Sequence, residues 1–350
     1  MKGIVIKGNK NLSLEDFPIP DVQPNQVLIR TGAASICGSD LHFFRNDKDR
    51  LGKRVSYIAG HEGSGIVDKV GEYVQNVKKG DRVAIFHRYG CGYCESCRKG
   101  WPQYCKSGKT NTIVMGQALN PITSSGTFSE YILVPSEVCF KIPDSINFES
   151  ASIIGCNGIT AFSIIQKVGI KSGDIVAVFG LGPLGMTAGL ILEKIGAISI
   201  AVDLSSERRK LGKNLGFRYV VSSLEELKDS LKSIADGKKE IDVALDFTGN
   251  NVAINNAVSI VKPLGYVGLV GIGPGLETAT ISPKKFLERG VTITGIDVGN
   301  MLNMFDLIDF VVKSNIDFSR IVTDRFKLSE AETAFEKAEK GSYGKVVFFP

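Results

Sequence analysis

Between residues 1 and 150 the apolar positions come in short runs broken by Gly, Pro and Asp: GIVIKGN, QVLIRTGAASI, GSGIVDKVG, GDRVAIF and SEYILVP. Runs of this length, ended by turn residues, predict short strands of an irregular, barrel-like β domain. From about residue 157 the rhythm changes. DIVAVFG (174–180) is continuously apolar, as a strand covered on both faces requires, and PLGMTAGLILEKIG (183–196) spaces its apolar positions at the helical period. ISIAVD (198–203), the helix SSERRKLGKNLG, FRYVVS, IDVALDFTG (241–249), a helix near 252–262 and GYVGLVGIG (265–273) continue the alternation. Strand and helix in turn predict parallel βαβ units. After about residue 297, MFDLIDFVVKSN and SEAETAFEKAEKG read as helices before a last strand, GKVVFFP. The expected class is α/β, with a doubly wound parallel sheet and a second, β-rich domain.

A chain of 350 residues suits two domains, and 43% hydrophobic with 23% charged residues suits two cores. No stretch reaches about 18 consecutive apolar residues, so no membrane span is expected. MKGIVIKGNKNLSLEDF alternates after its first residues and lacks the apolar core of a secretory signal, so a cytoplasmic protein is expected. The net charge of +5 is mild, and the basic runs KKG (78–80) and ERRK (207–210) carry no interleaved aromatics. They read as solvated surface, with no nucleic-acid and no membrane partner expected.

VFGLGPLGMTAG places Gly180, Gly182 and Gly185 in G-x-G-x-x-G spacing, with Pro183 and Leu184 between the last two glycines. The motif closes a predicted strand and opens a predicted helix, and Asp203 ends the next strand 18 positions after Gly185. In that setting the glycines allow a tight turn, a close approach of backbone to pyrophosphate, and close helix–strand packing. The phosphates would sit on the helix N-terminus, where free N–H groups favour anions. The Asp203 carboxylate would accept the ribose hydroxyls and repel a 2′-phosphate, which predicts NAD(H) over NADP(H). Arg208 and Arg209 lie near enough to temper that preference.

The seven cysteines are an odd number in a chain read as cytoplasmic, which points to metal ligation before disulfides. Cys91, Cys94, Cys97 and Cys105 follow C-x2-C-x2-C-x7-C in a Gly-rich stretch. Four thiolates at short spacing suit a tetrahedral zinc with no position left for substrate, a structural site.

Two other stretches, SICGSDLHFF (35–44) and AGHEGSGIV (59–67), supply Cys37, Ser39, Asp40, His42, His61 and Glu62, including two of the three histidines in the chain. With these motifs, the four-cysteine lobe, GCNGITAF (155–162) and GLGPLG in this order, the chain resembles the zinc-dependent medium-chain alcohol dehydrogenases over essentially its whole length. The resemblance implies a GroES-like catalytic domain from 1–156 and 297–350 and a Rossmann NAD-binding domain at 157–296, with zinc and nicotinamide meeting where the domains join. It implies Cys37, His61 and Cys156 as ligands of a catalytic zinc, Glu62 as a carboxylate able to visit the metal, and Asp40 as acceptor of the His61 ring N–H. It also places Thr160 under the nicotinamide. A homodimer or homotetramer is implied in the same way.

Two thiolates and an imidazole leave a fourth tetrahedral position for water or alcohol. Zinc acidifies a hydroxyl there, and hydride can then leave for NAD⁺. Ser39 is placed to take the proton and His42 to pass it outward through the cofactor ribose. The expected reaction is reversible oxidation of a primary or secondary alcohol to an aldehyde or ketone, with two zinc ions per chain. A polyol, sugar or L-threonine 3-dehydrogenase is the alternative within the family. Cys156 leans towards simple alcohols, because Glu is frequent at its place in polyol enzymes, whereas Asp297 would favour a hydroxyl-rich or cationic substrate. Phe43, Phe44, Arg45 and Met301 fall by analogy where substrate would lie. A non-catalytic NAD sensor or nucleic-acid binder has no use for a zinc with an open corner. Cys139 reads as core, and His87, at a strand end, has no assigned role.

Overall fold

The computed structural model describes residues 1–51, 56–106, 111–112, 126–234, 240–272, 278–340 and 343–350. The chain divides into two compact units, Met1–Cys156 with Asn300–Pro350, and Asn157–Gly299.

In the first unit, strands numbered along the chain begin with an antiparallel hairpin of β1 (Lys2–Gly8) and β2 (Asn11–Asp16). Its two-residue turn holds Asn9 and Lys10 at positive φ, the geometry that matches strand twist. The main sheet is built from β3 (Gln26–Ser35), β4 (Glu62–Val70), β5 (Arg82–Ile85), β8 (Tyr131–Pro135) and β9 (Cys139–Lys141). Two strands from the C-terminal segment, β16 (Val322–Lys327) and β17 (Lys345–Phe349), complete it. The order is β16-β17-β3-β4-β5-β9, with β8 also on β3. A small ribbon pairs β6 (Arg88–Tyr89) with β7 (Asn111–Thr112). Among the described strands of this unit only β16 and β17 run parallel, so the predicted β-rich domain is a largely antiparallel one.

The register of the central strand joins distant parts of the chain. Ser35, at the end of β3, stands opposite Glu62 on one side and Val347 on the other. Segments from the two ends of the chain thereby meet at one end of the sheet. Beneath it lies an aromatic core, with the Phe128 and Phe348 rings 5.2 Å apart and the Phe44 and Phe335 rings 5.1 Å apart.

The second unit is a six-stranded, wholly parallel sheet: β10 (Ile175–Phe179), β11 (Ile198–Val202), β12 (Tyr219–Val221), β13 (Ile241–Asp246), β14 (Val261–Leu269) and β15 (Thr292–Gly295). Its order, β12-β11-β10-β13-β14-β15, reverses between β10 and β13, which makes it a doubly wound Rossmann sheet. β10 is buried along its whole length, as its uninterrupted apolar run requires.

Beyond the helices Leu224–Lys232 and Pro283–Arg289 and the strand Thr292–Gly295, which the sequence reading does not name, two features depart from it. The helix near 252–262 ends at Ile260, and β14 starts at Val261; the Lys262–Pro263 step disfavours helix at that point. The second is a helix with no counterpart in the pattern analysis, Phe148–Ile153, running through a π turn, Ile154–Gly158, into Ile159–Lys167. It is buried on every side from Ser150 to Ile165, so no polar face marks it as a helix. By length and hydropathy it is the one described helix able to cross a membrane, but 89% of its apolar window is buried within the protein.

Candidate metal centres and cofactor site

Cys91, Cys94, Cys97 and Cys105 bring their sulfurs within 4.8 Å of one another. Cys91 and Cys97 are 3.9 Å apart and Cys94 and Cys105 4.0 Å, against the ~3.8 Å edge of a tetrahedron with Zn–S bonds of ~2.3 Å. The loop is shaped for this closure. A Cβ on Gly90 would stand 2.5 Å from the Cys97 sulfur, and Gly92 and Gly100 turn at positive φ. The Cys91 and Cys94 amides donate to the sulfurs of Cys105 and Cys91 at 3.4 Å. Amides of Cys97 and Lys106 hold the Cys94 thiol below its ordinary range, while burial pushes Cys97 up to about 12. The donor set fits a closed, four-thiolate zinc site.

A second set, Cys37, His61, Glu62 and Cys156, also offers ligand atoms within 4.8 Å of one another. Cys37 caps the helix Gly38–Arg45, and its amide donates to Asp40 at 2.8 Å. The other Asp40 oxygen lies 3.2 Å from His61 Nδ1, so the Nδ1–H is engaged and Nε2 is the ring nitrogen that could ligate a metal. Gly60, at φ +93°, delivers His61 to the start of β4; a Cβ there would meet the Phe128 ring at 2.5 Å. Cys156 lies in the π turn, a distortion that recurs at functional sites. Gly155 beside it approaches Ile85 so closely that a Cβ would fall 1.8 Å from the carbonyl oxygen.

The electrostatics suit a divalent cation. A hydrogen bond from Cys156 holds the Cys37 thiol well below its ordinary range, and the same bond, with burial, pushes Cys156 well above. The pair thus retains one proton, which metal binding must expel. Burial opposes charge on His61, but Asp40 and Cys37 outweigh it and raise the imidazole well above its usual range. Ser39 Oγ lies 3.3 Å from His61 Nε2, and His42, one helical turn on, is exposed.

Two groups of this site escaped the sequence reading. Lys345, in the last strand, is 1% exposed and ion-pairs with Glu62, itself fully buried. His87 is also buried, its ring centroid 5.2 Å from that of His61 and its Nδ1 2.8 Å from the Gly155 carbonyl. Burial first, then His61, drives its pKa well down, so the ring is neutral and Nε2 is an acceptor. Phe44 belongs to the core, Phe43 is half-buried and Arg45 is exposed, tied to Glu339 at 2.9 Å. Asp297 is exposed and Met301 starts the helix Met301–Lys313. Cys139 is core, as expected.

In the second unit, β10 ends at Phe179, Gly180 after it makes the turn with a φ of +92°, and Pro183 opens the helix Pro183–Ile195 at the position that suits it. A Cβ on Gly185 would lie 1.9 Å from the Gly180 carbonyl oxygen, whereas one on Gly182 would meet nothing within 4 Å. Gly182 is thus small for no reason internal to the described fold, and a bound pyrophosphate would supply one. Leu184 lies in the first helical turn. Asp203, at the end of β11, accepts from the Leu181 amide at 2.7 Å and the Ser205 amide at 2.8 Å, which fixes its carboxylate. Arg209 is committed to the Asp203 and Leu204 carbonyls, while Arg208 lies in the first turn of the helix Ser206–Asn214. Thr160 is buried in the helix Ile159–Lys167.

Comparison with known proteins agrees with both units. Residues 23–144 match the alcohol dehydrogenase GroES-like domain and residues 183–313 the zinc-binding dehydrogenase domain. The chain is 30% identical to the sorbitol dehydrogenase of Bacillus subtilis (strain 168), over all of this chain and 97% of that one. It is 33% identical to the L-threonine 3-dehydrogenase of Caldanaerobacter subterraneus, covering 95% and 93%, and 31% identical to an alcohol dehydrogenase of Geobacillus stearothermophilus, covering 99% and 98%. Its fold superposes on that of an alcohol dehydrogenase of Thermus sp. ATN1 with a TM-score of 0.87 at 24% identity, over 100% and 99% of the two chains. The chain therefore belongs to the zinc-dependent medium-chain dehydrogenase family and is an oxidoreductase.

Proposed function

We propose that the protein oxidises a primary or secondary alcohol to an aldehyde or ketone, reversibly, with NAD⁺ as hydride acceptor and a zinc ion held by Cys37, His61 and Cys156. The observation that carries this reading is the convergence of those three donors and Glu62 within 4.8 Å. Zinc bound there would supply Lewis acidity at the reacting hydroxyl, and the nicotinamide would take the hydride. The protein's own groups handle the proton and the orientation. Asp40 keeps the proton of His61 on Nδ1. Ser39 Oγ, beside His61 Nε2, takes the hydroxyl proton as it gives up its own through the cofactor ribose to His42, three residues on along the same helix face, which releases it outward. Residues 1–156 and 297–350 would form the catalytic domain and 157–296 the NAD-binding domain. Gly180, Gly182, Pro183, Leu184 and Gly185 would cradle the pyrophosphate, Asp203 and Arg208 would face the adenosine ribose, and Thr160 the nicotinamide. The cysteine lobe would hold a second, structural zinc.

A substrate with a second polar group, a polyol or an amino alcohol such as L-threonine, is the other reading. His87 favours it, because a buried neutral acceptor next to a metal-ligand histidine suits a further hydroxyl or ammonium group. The sorbitol and threonine dehydrogenases among the relatives carry such substrates in their names. We further assign the protein to the cytoplasm as a homodimer or homotetramer; its seven free cysteines suit a reducing compartment.

NADH absorbance with linear alcohols, branched diols, sugars and threonine, using NAD⁺ and NADP⁺ side by side, identifies substrate and cofactor. Cys37→Ser is expected to abolish turnover and leave NADH binding intact. Turnover that survives this substitution sinks the assignment.

A further inference from the structure

Lys345 lies between β16 and β3 in a strand whose next three residues, Val346, Val347 and Phe348, are core. A lysine this deeply buried requires a partner. Its ammonium lies 2.8 Å from Oε1 and 2.6 Å from Oε2 of Glu62. The Ser35 hydroxyl donates to Oε2 at 2.5 Å, and the Ser152 hydroxyl lies 3.2 Å from that of Ser35 and donates to the Glu149 carbonyl. Both oxygens of Glu62 are therefore occupied by groups from other segments of the chain. The sheet register that sets Ser35 opposite Glu62 and Val347 brings those groups together.

The same carboxylate stands within 4.8 Å of the donor atoms of Cys37, His61 and Cys156. Carboxylates are good zinc ligands, and a fourth protein donor converts an open site into a closed one. We propose that Lys345 is a positioning residue that holds Glu62 off the metal, so that the fourth coordination position stays available to an exchangeable ligand. The charges agree: two thiolates and one carboxylate balance a divalent cation plus one ammonium. A metal-free clamp and a metal-bound Glu62 are alternative states of one side chain, and Lys345 with Ser35 sets the choice. This inference rests on the metal assignment made under Proposed function.

The test uses the full chain loaded with cobalt(II), whose visible bands report coordination, titrated with imidazole as exogenous ligand. Glu62→Gln is expected to leave imidazole affinity within about twofold of the parent, because Glu62 does not compete there. Lys345→Met is expected to free Glu62 for the metal and weaken imidazole binding by about tenfold or more, with slower release of cobalt to a chelator. The Lys345→Met/Glu62→Gln pair is expected to restore imidazole binding, and Lys345→Arg to retain it. Unchanged affinity in a folded Lys345→Met protein overturns the proposal. So does a gain of about tenfold in Glu62→Gln alone, which would mean that Glu62 already sits on the metal. That second comparison stands even where Lys345→Met does not fold. A chain that takes up cobalt only in the cysteine lobe rejects the metal assignment itself, whereas a loaded centre with the wrong imidazole response rejects the clamp alone.

Discussion

Asp40 shows how much one side chain settles. One carboxylate oxygen takes the Cys37 amide at 2.8 Å and the other faces His61 Nδ1 at 3.2 Å, so it aims two of the three proposed ligands. Asp40→Asn can donate to Nδ1 and so favour the tautomer with its proton on Nε2, where the metal would sit. A loss of about 10- to 100-fold in metal affinity at this centre is expected, with the fold intact. Competition with a chelator, alongside circular dichroism, checks both parts. Asp40 was reached from the sequence only through the family resemblance, whose C-G-S-D-x-H motif it completes. Lys345 was not, since GKVVFF reads as a core strand and its partner lies 283 residues away. His87 was unreadable for a similar reason: its neighbours in sequence do not reveal that the Gly155 carbonyl and the His61 ring surround it.

At the scale of elements, the glycine turn separates ligand from scaffold. Gly182 and Gly185 belong to one motif, yet the first faces open space and the second abuts the Gly180 carbonyl. Gly182→Ala is expected to weaken NADH binding about tenfold or more with little change in thermal stability, since only a bound pyrophosphate would meet the new methyl group. Gly185→Ala is expected to lower thermal stability, because helix and strand must separate to admit it. Fluorescence titration with NADH and thermal unfolding of both variants distinguish the two roles; equal loss of binding and equal loss of stability would refute the separation. Most strands and helices of this unit were legible from their own local pattern, but the helices Leu224–Lys232 and Pro283–Arg289 and the strand Thr292–Gly295 were not. The helix running from Phe148 through the π turn was not, because a helix buried all round shows no polar face.

For the molecule as a whole, the two donor clusters predict two zinc ions per chain by elemental analysis. Cys97→Ser is expected to remove one of them and to lower thermal stability, while NADH binding persists, because the glycine turn belongs to the unit Asn157–Gly299. A variant that keeps both ions would exclude Cys97 as a ligand. A parent protein with one ion would remove one of the two centres.

Local pattern was sufficient for the alternation of strand and helix, the glycine turn with Asp203, the closed cysteine lobe and the family. Each is written within a few tens of residues, where spacing alone dictates period, turn and ligand geometry. The meeting of Cys37, His61, Glu62 and Cys156 was implied by the resemblance alone, whereas only the tertiary structure decided that His87 lies beside them and that Lys345 grips Glu62. Such meetings depend on which strands pair and in what register, and that is set by the burial of the whole core.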